Sequence, residues 1–184
     1  MMLFWIPCVA LVHAAEPSAD SEPSAATVVD RAVVLVGEAV VTQSDILLHA
    51  AMTVHDPSFL PILQSTIDES ERDIIDATIV RQTAGRVPVY QPTRDQVDIR
   101  MSRFMDQWPT KNAYRLFMDT HGLTEDRIRV LLRRRAVVER VVVRALGTPK
   151  EDLAGWTERF DAWMAATRAS ARVRRIAPQG SPKW

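Results

Sequence analysis

The sequence predicts a mainly α-helical domain with a small β-sheet. Two valine-rich runs, 32–36 and 39–41, flank a Gly-Glu pair and have the length and composition of a β-hairpin. From residue 68 onward, capping signals separate segments whose apolar residues recur at helical spacing. Near the end, residues 172–176 alternate arginine with valine and isoleucine, as a short strand does. We therefore expect a helical bundle that also contains an N-terminal hairpin and a C-terminal strand.

The composition favours one domain with a core of ordinary size. The chain has 184 residues, of which 47% are hydrophobic, so it is not compositionally disordered. Its 23 acidic and 23 basic residues balance, which gives no general reason to expect nucleic acid or an anionic membrane as partner. Residues 16–73 contain eleven acidic and two basic residues, a net charge of −9, and residues 74–184 contain twelve and twenty-one, a net charge of +9. This polarity can help the two ends of the chain to associate.

The first fifteen residues, MMLFWIPCVALVHAA, predict a signal peptide. They contain no charged residue, and Val12-His13-Ala14 has the small or aliphatic side chains that a signal peptidase reads, so we expect cleavage after Ala14 or Ala15. The segment is shorter than the roughly 20 residues of a membrane span. No basic residue precedes the apolar run, which leaves a buried N-terminal segment as the alternative.

The position of the cysteine and the composition of residues 16–27 indicate what the mature protein contains. Cys8, the only cysteine, lies in the predicted signal peptide, and Pro7 stands where a lipoprotein attachment site has a small residue, so we do not expect lipidation. Without this segment the protein has no thiol for disulfides, metal binding or catalysis. Residues 16–27, EPSADSEPSAAT, contain nothing to bury and predict a flexible linker. The domain should then span 28–177, with residues 178–184 as a tail.

Local signals place the first two helices. Thr42 and Asp45 have capping-box spacing, so a helix should follow the hairpin and run toward Met52. A second helix is expected from Asp68 to Gly85, and one of its faces should carry Ile67, Ile74, Ile75, Thr78 and Ile79. Proline should then keep Val87-Pro88-Val89 extended.

Two further helices should carry large apolar side chains. Thr93 and Gln96 predict a capping box, and the apolar residues of the helix that follows share one face: Val97, Met101, Phe104, Met105 and Trp108. Thr110 should open a short helix that ends at His121-Gly122 and contains Tyr114, Phe117 and Met118.

The last two helices follow in close succession. Thr124 caps an arginine-rich helix over 125–146 with a stripe of Ile128, Leu131, Leu132, Val138, Val142 and Ala145, and Gly147 ends it. Thr148-Pro149-Lys150-Glu151 combines a cap, a first-turn proline and a capping-box acid, so a final helix should begin at once. Its buried side should carry Leu153, Trp156, Phe160, Trp163 and Met164.

The order of these signals carries a family resemblance. Residues 32–45 combine a strand, a Gly-Glu turn, a second strand and a Ser-Asp helix start, and residues 76–82, His121-Gly122-Leu123-Thr124 and the arginine-rich helix follow in order. Over 28–146 and the C-terminal helix and strand, this order resembles the N-terminal chaperone domain of the SurA and trigger-factor-like periplasmic folding factors. The chain departs from that family at Val36, where asparagine is common before Gly-Glu.

The resemblance implies both an architecture and an absent domain. In the family, a C-terminal strand joins the N-terminal hairpin, so residues 149–177 should return to the N-terminal part and close the domain. Many relatives carry a parvulin-type prolyl isomerase domain before the C-terminal helix. Here Leu146-Gly147-Thr148-Pro149 alone joins the two helices, which leaves no room for that domain. The resemblance therefore implies a protein that is not an enzyme.

Candidate catalytic and metal-binding residues are few. The histidines, at positions 13, 49, 55 and 121, are dispersed, whereas metal sites and catalytic bases need grouped partners. The acids Glu69, Glu71, Asp73 and Asp76 fit the first turns of a helix, where acids are favoured in any case. We interpret both sets as structural, and expect no metal and no cofactor.

The arginines of the long helix allow two interpretations. A nucleic-acid-binding helix is one, and a solvated helix face is the other. Interleaved aromatic residues are missing and an exported protein meets no genome, so the sequence favours the solvated face for Arg127, Arg129, Arg133, Arg134, Arg135, Arg140 and Arg144.

The methionine and aromatic residues of the third and fourth helices are the candidate binding residues. Methionine-rich and aromatic surfaces adapt to many apolar partners. The predicted client-binding set is Met101, Phe104, Met105, Trp108, Tyr114, Phe117 and Met118. Core packing explains the same residues equally well, and the sequence alone does not decide between the two.

These observations favour a periplasmic, chaperone-like protein that shields apolar segments of unfolded envelope polypeptides, without nucleotide, metal or isomerase activity. The first alternative is a structural or adaptor subunit that uses the same groove for one fixed partner. The second is a nucleic-acid-binding helical protein, for which residues 1–15 would not be a signal peptide. Clients and oligomeric state are not encoded in any motif.

Overall fold

The computed structural model describes residues 30–64, 66, 69–84, 86–149 and 152–176. Within this part the chain is mainly helical, with six α-helices and a three-stranded antiparallel sheet of two N-terminal strands and one C-terminal strand. The predicted fold class is confirmed. The predicted signal peptide, the linker 16–27 and the tail 178–184 lie outside the described residues, as do Ile67 and Gly85.

The sheet joins the two ends of the described chain. Strand β1 (Ala32–Val36) lies in the middle, between β2 (Ala39–Thr42) and β3 (Val173–Arg175). Val36 is opposite Ala39 across a two-residue turn, in which Gly37 has a φ of 55°. Because Glu38 has no positive φ, the turn has the pattern of type II′, which matches the twist of a hairpin.

Six helices make up most of the described chain, and the longest of them has 22 residues. Their bounds are α1 (Gln43–His55), α2 (Ser70–Ala84), α3 (Arg94–Asp106), α4 (Lys111–Thr120), α5 (Glu125–Leu146) and α6 (Leu153–Ser170). The predicted capping boxes at Thr42 and Thr93 are both formed, and Thr110 and Thr124 cap α4 and α5 as expected. None of the helices in the described ranges combines the length and the hydropathy needed to cross a membrane.

Two local predictions are wrong. Pro88–Tyr90 forms a 3₁₀ turn rather than an extended segment, because the fixed φ of proline suits the first position of a helical turn as well as an extended strand. Helix α6 does not begin at Thr148. Its N-cap is Asp152, whose carboxylate accepts a hydrogen bond from Gly155 N at 2.8 Å, and Leu153 is left exposed rather than buried.

The core is divided into three clusters that follow α5 and the sheet. One lies between α2, α5 and α6 and includes Trp156, Phe160 and Met164; a second lies between α1, α3, α4 and α5; a third lies under the sheet. Ion pairs also hold the C-terminal part of the chain against α2. Arg168 binds Asp76 of α2, and Arg175 lies 2.5 Å from Glu71 of the same helix. Of these two pairs, only Arg175–Glu71 joins the basic part of the chain, 74–184, to the acidic part, 16–73.

Candidate functional site

The seven predicted binding residues lie close together, but most of them are part of the core. Met101, Phe104, Tyr114 and Phe117 are buried, and they pack with Met52, Ile128 and Leu132 in one cluster. Trp108 and Met118 are half-buried against that cluster. Met105 is 41% exposed.

The position of each residue on its helix explains this division. Along α3, Val97, Met101 and Phe104 follow the line that faces the core, whereas Met105 lies at the edge of the stripe and projects toward solvent. Four of the seven residues are therefore not accessible to a client in this conformation. A binding role for Met105, Trp108 and Met118 stays a prediction.

Two of the histidines serve as packing groups around the same cluster. His55 stacks on Trp108 with ring centroids 3.5 Å apart, and His121 lies 4.9 Å from Phe117. Burial lowers the pKa of His55, so the neutral ring is the form that stacks at pH 7. In the described ranges, no group of three or more histidine, cysteine, aspartate or glutamate side chains is arranged to hold a metal ion.

An open cavity lies beside the aromatic cluster, between α3, α5 and the loop that follows α1. Its volume is about 550 Å³. Phe59 and Ile99 present apolar surface to it and are 40% and 53% exposed. Val97, Phe104 and Leu132 of the core also reach its wall. An open depression with exposed aliphatic and aromatic walls is the usual form of a binding site.

A second cavity adjoins the first and lengthens it. Its volume is about 520 Å³, and it shares Phe59, Glu139 and Arg140 with the first. It adds Val89, which is 58% exposed, and Val143 of α5. We call the two adjoining cavities the α5 groove. Its α5 wall extends from Leu132 to Arg144, which is about 18 Å at the 1.5 Å rise of a helix.

A buried ionic network underlies this groove. Asp56, at the C-cap of α1, accepts hydrogen bonds from Arg100 of α3 at 2.7 and 2.8 Å and from Arg135 of α5 at 2.6 Å. Arg100 also donates to Glu139 at 2.6 and 2.9 Å. Because the four side chains come from three separate elements, the network fixes the spacing of α3 and α5.

The two arginines of the network differ in their electrostatic surroundings. Burial alone would lower the pKa of Arg100, but the hydrogen bonds that Arg100 donates to Glu139 and Asp56 outweigh it and raise that pKa above its ordinary range. For Arg135, burial dominates the attraction of Asp56, and its pKa is lowered. Both guanidinium groups remain charged near neutral pH, so the network depends on Asp56 to balance the buried charge of Arg135.

The surface of the groove carries an excess of positive charge. Among the described residues that line it, the arginines are Arg100, Arg103, Arg140 and Arg144 and the carboxylates are Asp56 and Glu139. Both carboxylates are already bound by Arg100. Arg103 and Arg144 are exposed, so the groove is suited to segments that combine apolar with acidic side chains.

The prediction that all arginines of α5 lie on a solvated face is wrong for Arg135. Its side chain is 6% exposed, and its Nη2 also donates to the backbone oxygens of Asp56 and Leu63 at 2.8 and 3.1 Å. The sequence contained a signal for this, because position 135 falls three residues after Leu132 on the predicted apolar stripe. Conversely, Ala145 was predicted on that stripe and is exposed.

Comparison with known proteins adds no assignment. No protein-family model matches the chain, and no curated protein matches it at a significant level.

Proposed function

We propose that this protein is a chaperone-like factor that binds extended, apolar segments of unfolded polypeptides in the α5 groove. The observation that carries the proposal is the groove itself: a long open depression whose exposed apolar side chains, Phe59, Val89 and Ile99, come from three different segments. Binding would bury these side chains reversibly and needs neither nucleotide nor metal.

The dimensions of the groove limit what it can hold. An extended peptide advances about 3.3 Å per residue, so a wall of about 18 Å accommodates roughly five residues. Apolar side chains would contact Phe59 and Ile99, and the excess of arginine favours acidic residues nearby. A binding site of this length recognises composition rather than a long sequence, as a factor with many clients requires.

The resemblance to the SurA family supports the same proposal. It implies periplasmic clients such as unfolded outer-membrane proteins, export by the predicted signal peptide, and action without isomerase activity. The alternative is an adaptor subunit that holds one fixed partner in the same groove. A protein that protects several unrelated unfolded clients is a chaperone, whereas one that retains a single native partner is an adaptor.

Polar substitutions in the groove should weaken client binding without unfolding the protein. Ile99 and Val89 are more than half exposed, so the double variant Ile99→Gln, Val89→Gln should change the free energy of unfolding by less than about 1 kcal/mol. It loses apolar area that a bound segment would cover, and we expect affinity for a fluorescently labelled unfolded outer-membrane protein to fall roughly tenfold.

The matched control is Leu116→Gln, Val54→Gln. These side chains are 67% and 73% exposed and line none of the described cavities. Fluorescence anisotropy should give the control the affinity of the unmodified protein. Equal losses in both double variants would place binding outside the α5 groove.

A further inference from the structure

A smaller cavity lies on the other side of Arg135, between β2, α1, α2 and α5. We call it the internal pocket. Its volume is about 110 Å³. Much of its wall is apolar and includes Val41, Leu48, Met52, Leu63, Ile74 and Val138. Engineered apolar cavities of about 150 Å³ hold a benzene molecule, so at the same packing this pocket encloses roughly four non-hydrogen atoms. Its open side leaves room for the end of a slightly larger compound.

Two buried polar atoms beside the internal pocket have no hydrogen-bond partner among the described residues: Nε2 of His49 and Nη1 of Arg135. The side chains are 9% and 6% exposed, and both residues line this pocket and none of the other described cavities. The Nε and Nη2 atoms of Arg135 are engaged by Asp56 and Leu63, so Nη1 is the atom left over. Buried polar atoms normally have hydrogen-bond partners. A bound molecule with polar atoms of its own would supply the partners that these two atoms lack.

The pocket also gathers more positive charge than its own residues balance. Arg81 of α2 and Arg134 of α5 are half-buried and line it with Arg135. Within the described part of the chain, no hydrogen bond or ion pair engages the guanidinium of Arg81 or Arg134. Burial lowers the pKa of Arg81, and the charge of Arg134 lowers it further.

The carboxylate nearest to these arginines is partly engaged elsewhere. Asp45 is the one acidic side chain among the described residues that line the pocket. Its Oδ2 accepts hydrogen bonds from the backbone and hydroxyl of Thr42, both at 3.1 Å, in the cap of α1. Burial and the charge of Arg135 lower the pKa of His49 to about 4, so this ring is neutral at pH 7. Because Asp56 already pairs with Arg135, Arg81 and Arg134 are left to share one carboxylate, that of Asp45.

We propose that the internal pocket binds a small organic carboxylate. The carboxylate group would accept hydrogen bonds from Nη1 of Arg135 and from the guanidinium groups of Arg81 and Arg134. A short hydrocarbon chain would lie against Leu48, Met52 and Val138. Neutral His49 would complete the site, because an imidazole can donate or accept one further hydrogen bond according to its tautomer. This site is separate from the α5 groove, and each can fail without the other.

The test uses butanoate as probe, with butanamide as its neutral analogue and inorganic phosphate as an anion without a hydrocarbon chain. We expect saturable shifts of backbone amide resonances in α1 and α2 on titration with butanoate. Butanamide and phosphate should bind at least tenfold more weakly, because the first lacks the charge and the second the apolar part.

Two variants locate the site. Arg81→Gln and Arg134→Gln should each weaken butanoate binding at least tenfold, and both residues are half-buried, so neither change should prevent folding. Arg127→Gln is the control, since Arg127 is an exposed α5 arginine that does not line the pocket. The proposal is overturned if butanoate causes no saturable shift, if phosphate binds as well as butanoate, or if all three variants retain the unmodified affinity.

Discussion

Replacing Trp156 by alanine should lower the free energy of unfolding by about 3 to 5 kcal/mol, the range observed for large buried side chains. Trp156 is 1% exposed, stacks on Phe160 with ring centroids 5.4 Å apart, and donates from Nε1 to the backbone oxygen of Gly147 at 2.9 Å. Its removal opens a cavity between α2, α5 and α6 and leaves a carbonyl without its donor. A loss of this size is a large part of the roughly 5 to 15 kcal/mol that stabilises a typical domain.

The measurement is urea unfolding followed by circular dichroism, which does not depend on tryptophan fluorescence. Trp163→Ala is the matched control, because Trp163 lies on the same helix but is only half-buried. We expect the control to lose clearly less stability. If Trp163→Ala costs more than Trp156→Ala, helix α6 is rotated relative to this structure and the C-terminal part closes the domain in another way.

Replacing Asp56 by alanine should also cost about 3 to 5 kcal/mol, because removing one member of a buried ion pair leaves the other as an uncompensated charge. Arg100 keeps Glu139 as a partner, but among the described residues Arg135 keeps only backbone carbonyls as hydrogen-bond partners. Asp98→Ala is the control, since Asp98 pairs with Arg129 at the surface and should contribute less than about 1 kcal/mol.

A second substitution separates charge from packing. In the double variant Asp56→Ala, Arg135→Met, the buried charge is gone and an apolar side chain of similar length replaces it. We expect this double variant to be more stable than Asp56→Ala alone by roughly 1 to 3 kcal/mol. If Asp56→Ala costs no more than the surface control, Arg135 is solvated in solution and the buried ionic network does not fix the spacing of α3 and α5.

Local hydrogen bonds explain why much of the fold could be predicted. The capping boxes at Thr42 and Thr93 involve residues three positions apart, so the sequence contains both partners of each bond. The hairpin is equally local, since one two-residue turn sets its register. By contrast, Thr148-Pro149 and Asp152 offer competing starts for α6, and no local signal in the sequence decides between them. In the structure the N-cap is Asp152, and Trp156 packs in the cluster with α5.

The candidate site was harder to predict because its residues are distant in sequence. Asp56 and Arg135 are separated by 79 positions and Arg100 and Glu139 by 39, so no periodicity in a single helix reveals the network. The methionine and aromatic residues show the opposite problem. Their spacing placed Met101 and Phe104 on one face of α3, with Met105 at its edge, but whether that face is covered depends on where α1 and α5 lie.

The structure therefore moves the proposed client site to a neighbouring surface. Phe104 and Leu132, which belong to the buried cluster, form part of the floor of the α5 groove, while Phe59, Val89 and Ile99 supply its exposed walls. These three residues lie in a loop, a 3₁₀ turn and at the edge of a helix. None of them belongs to an apolar stripe that the sequence would reveal. The aromatic core thus supports the site rather than forming it.

The most direct test of the chaperone proposal is light scattering by an unfolded outer-membrane protein diluted from urea into buffer. An equimolar amount of the protein should suppress the scattering, the Leu116→Gln, Val54→Gln variant should suppress it equally, and the Ile99→Gln, Val89→Gln variant should suppress it clearly less. The same order should hold for a second, unrelated unfolded client. If the unmodified protein leaves the scattering of both clients unchanged, it is not a chaperone of this kind, and the groove serves a single partner or none.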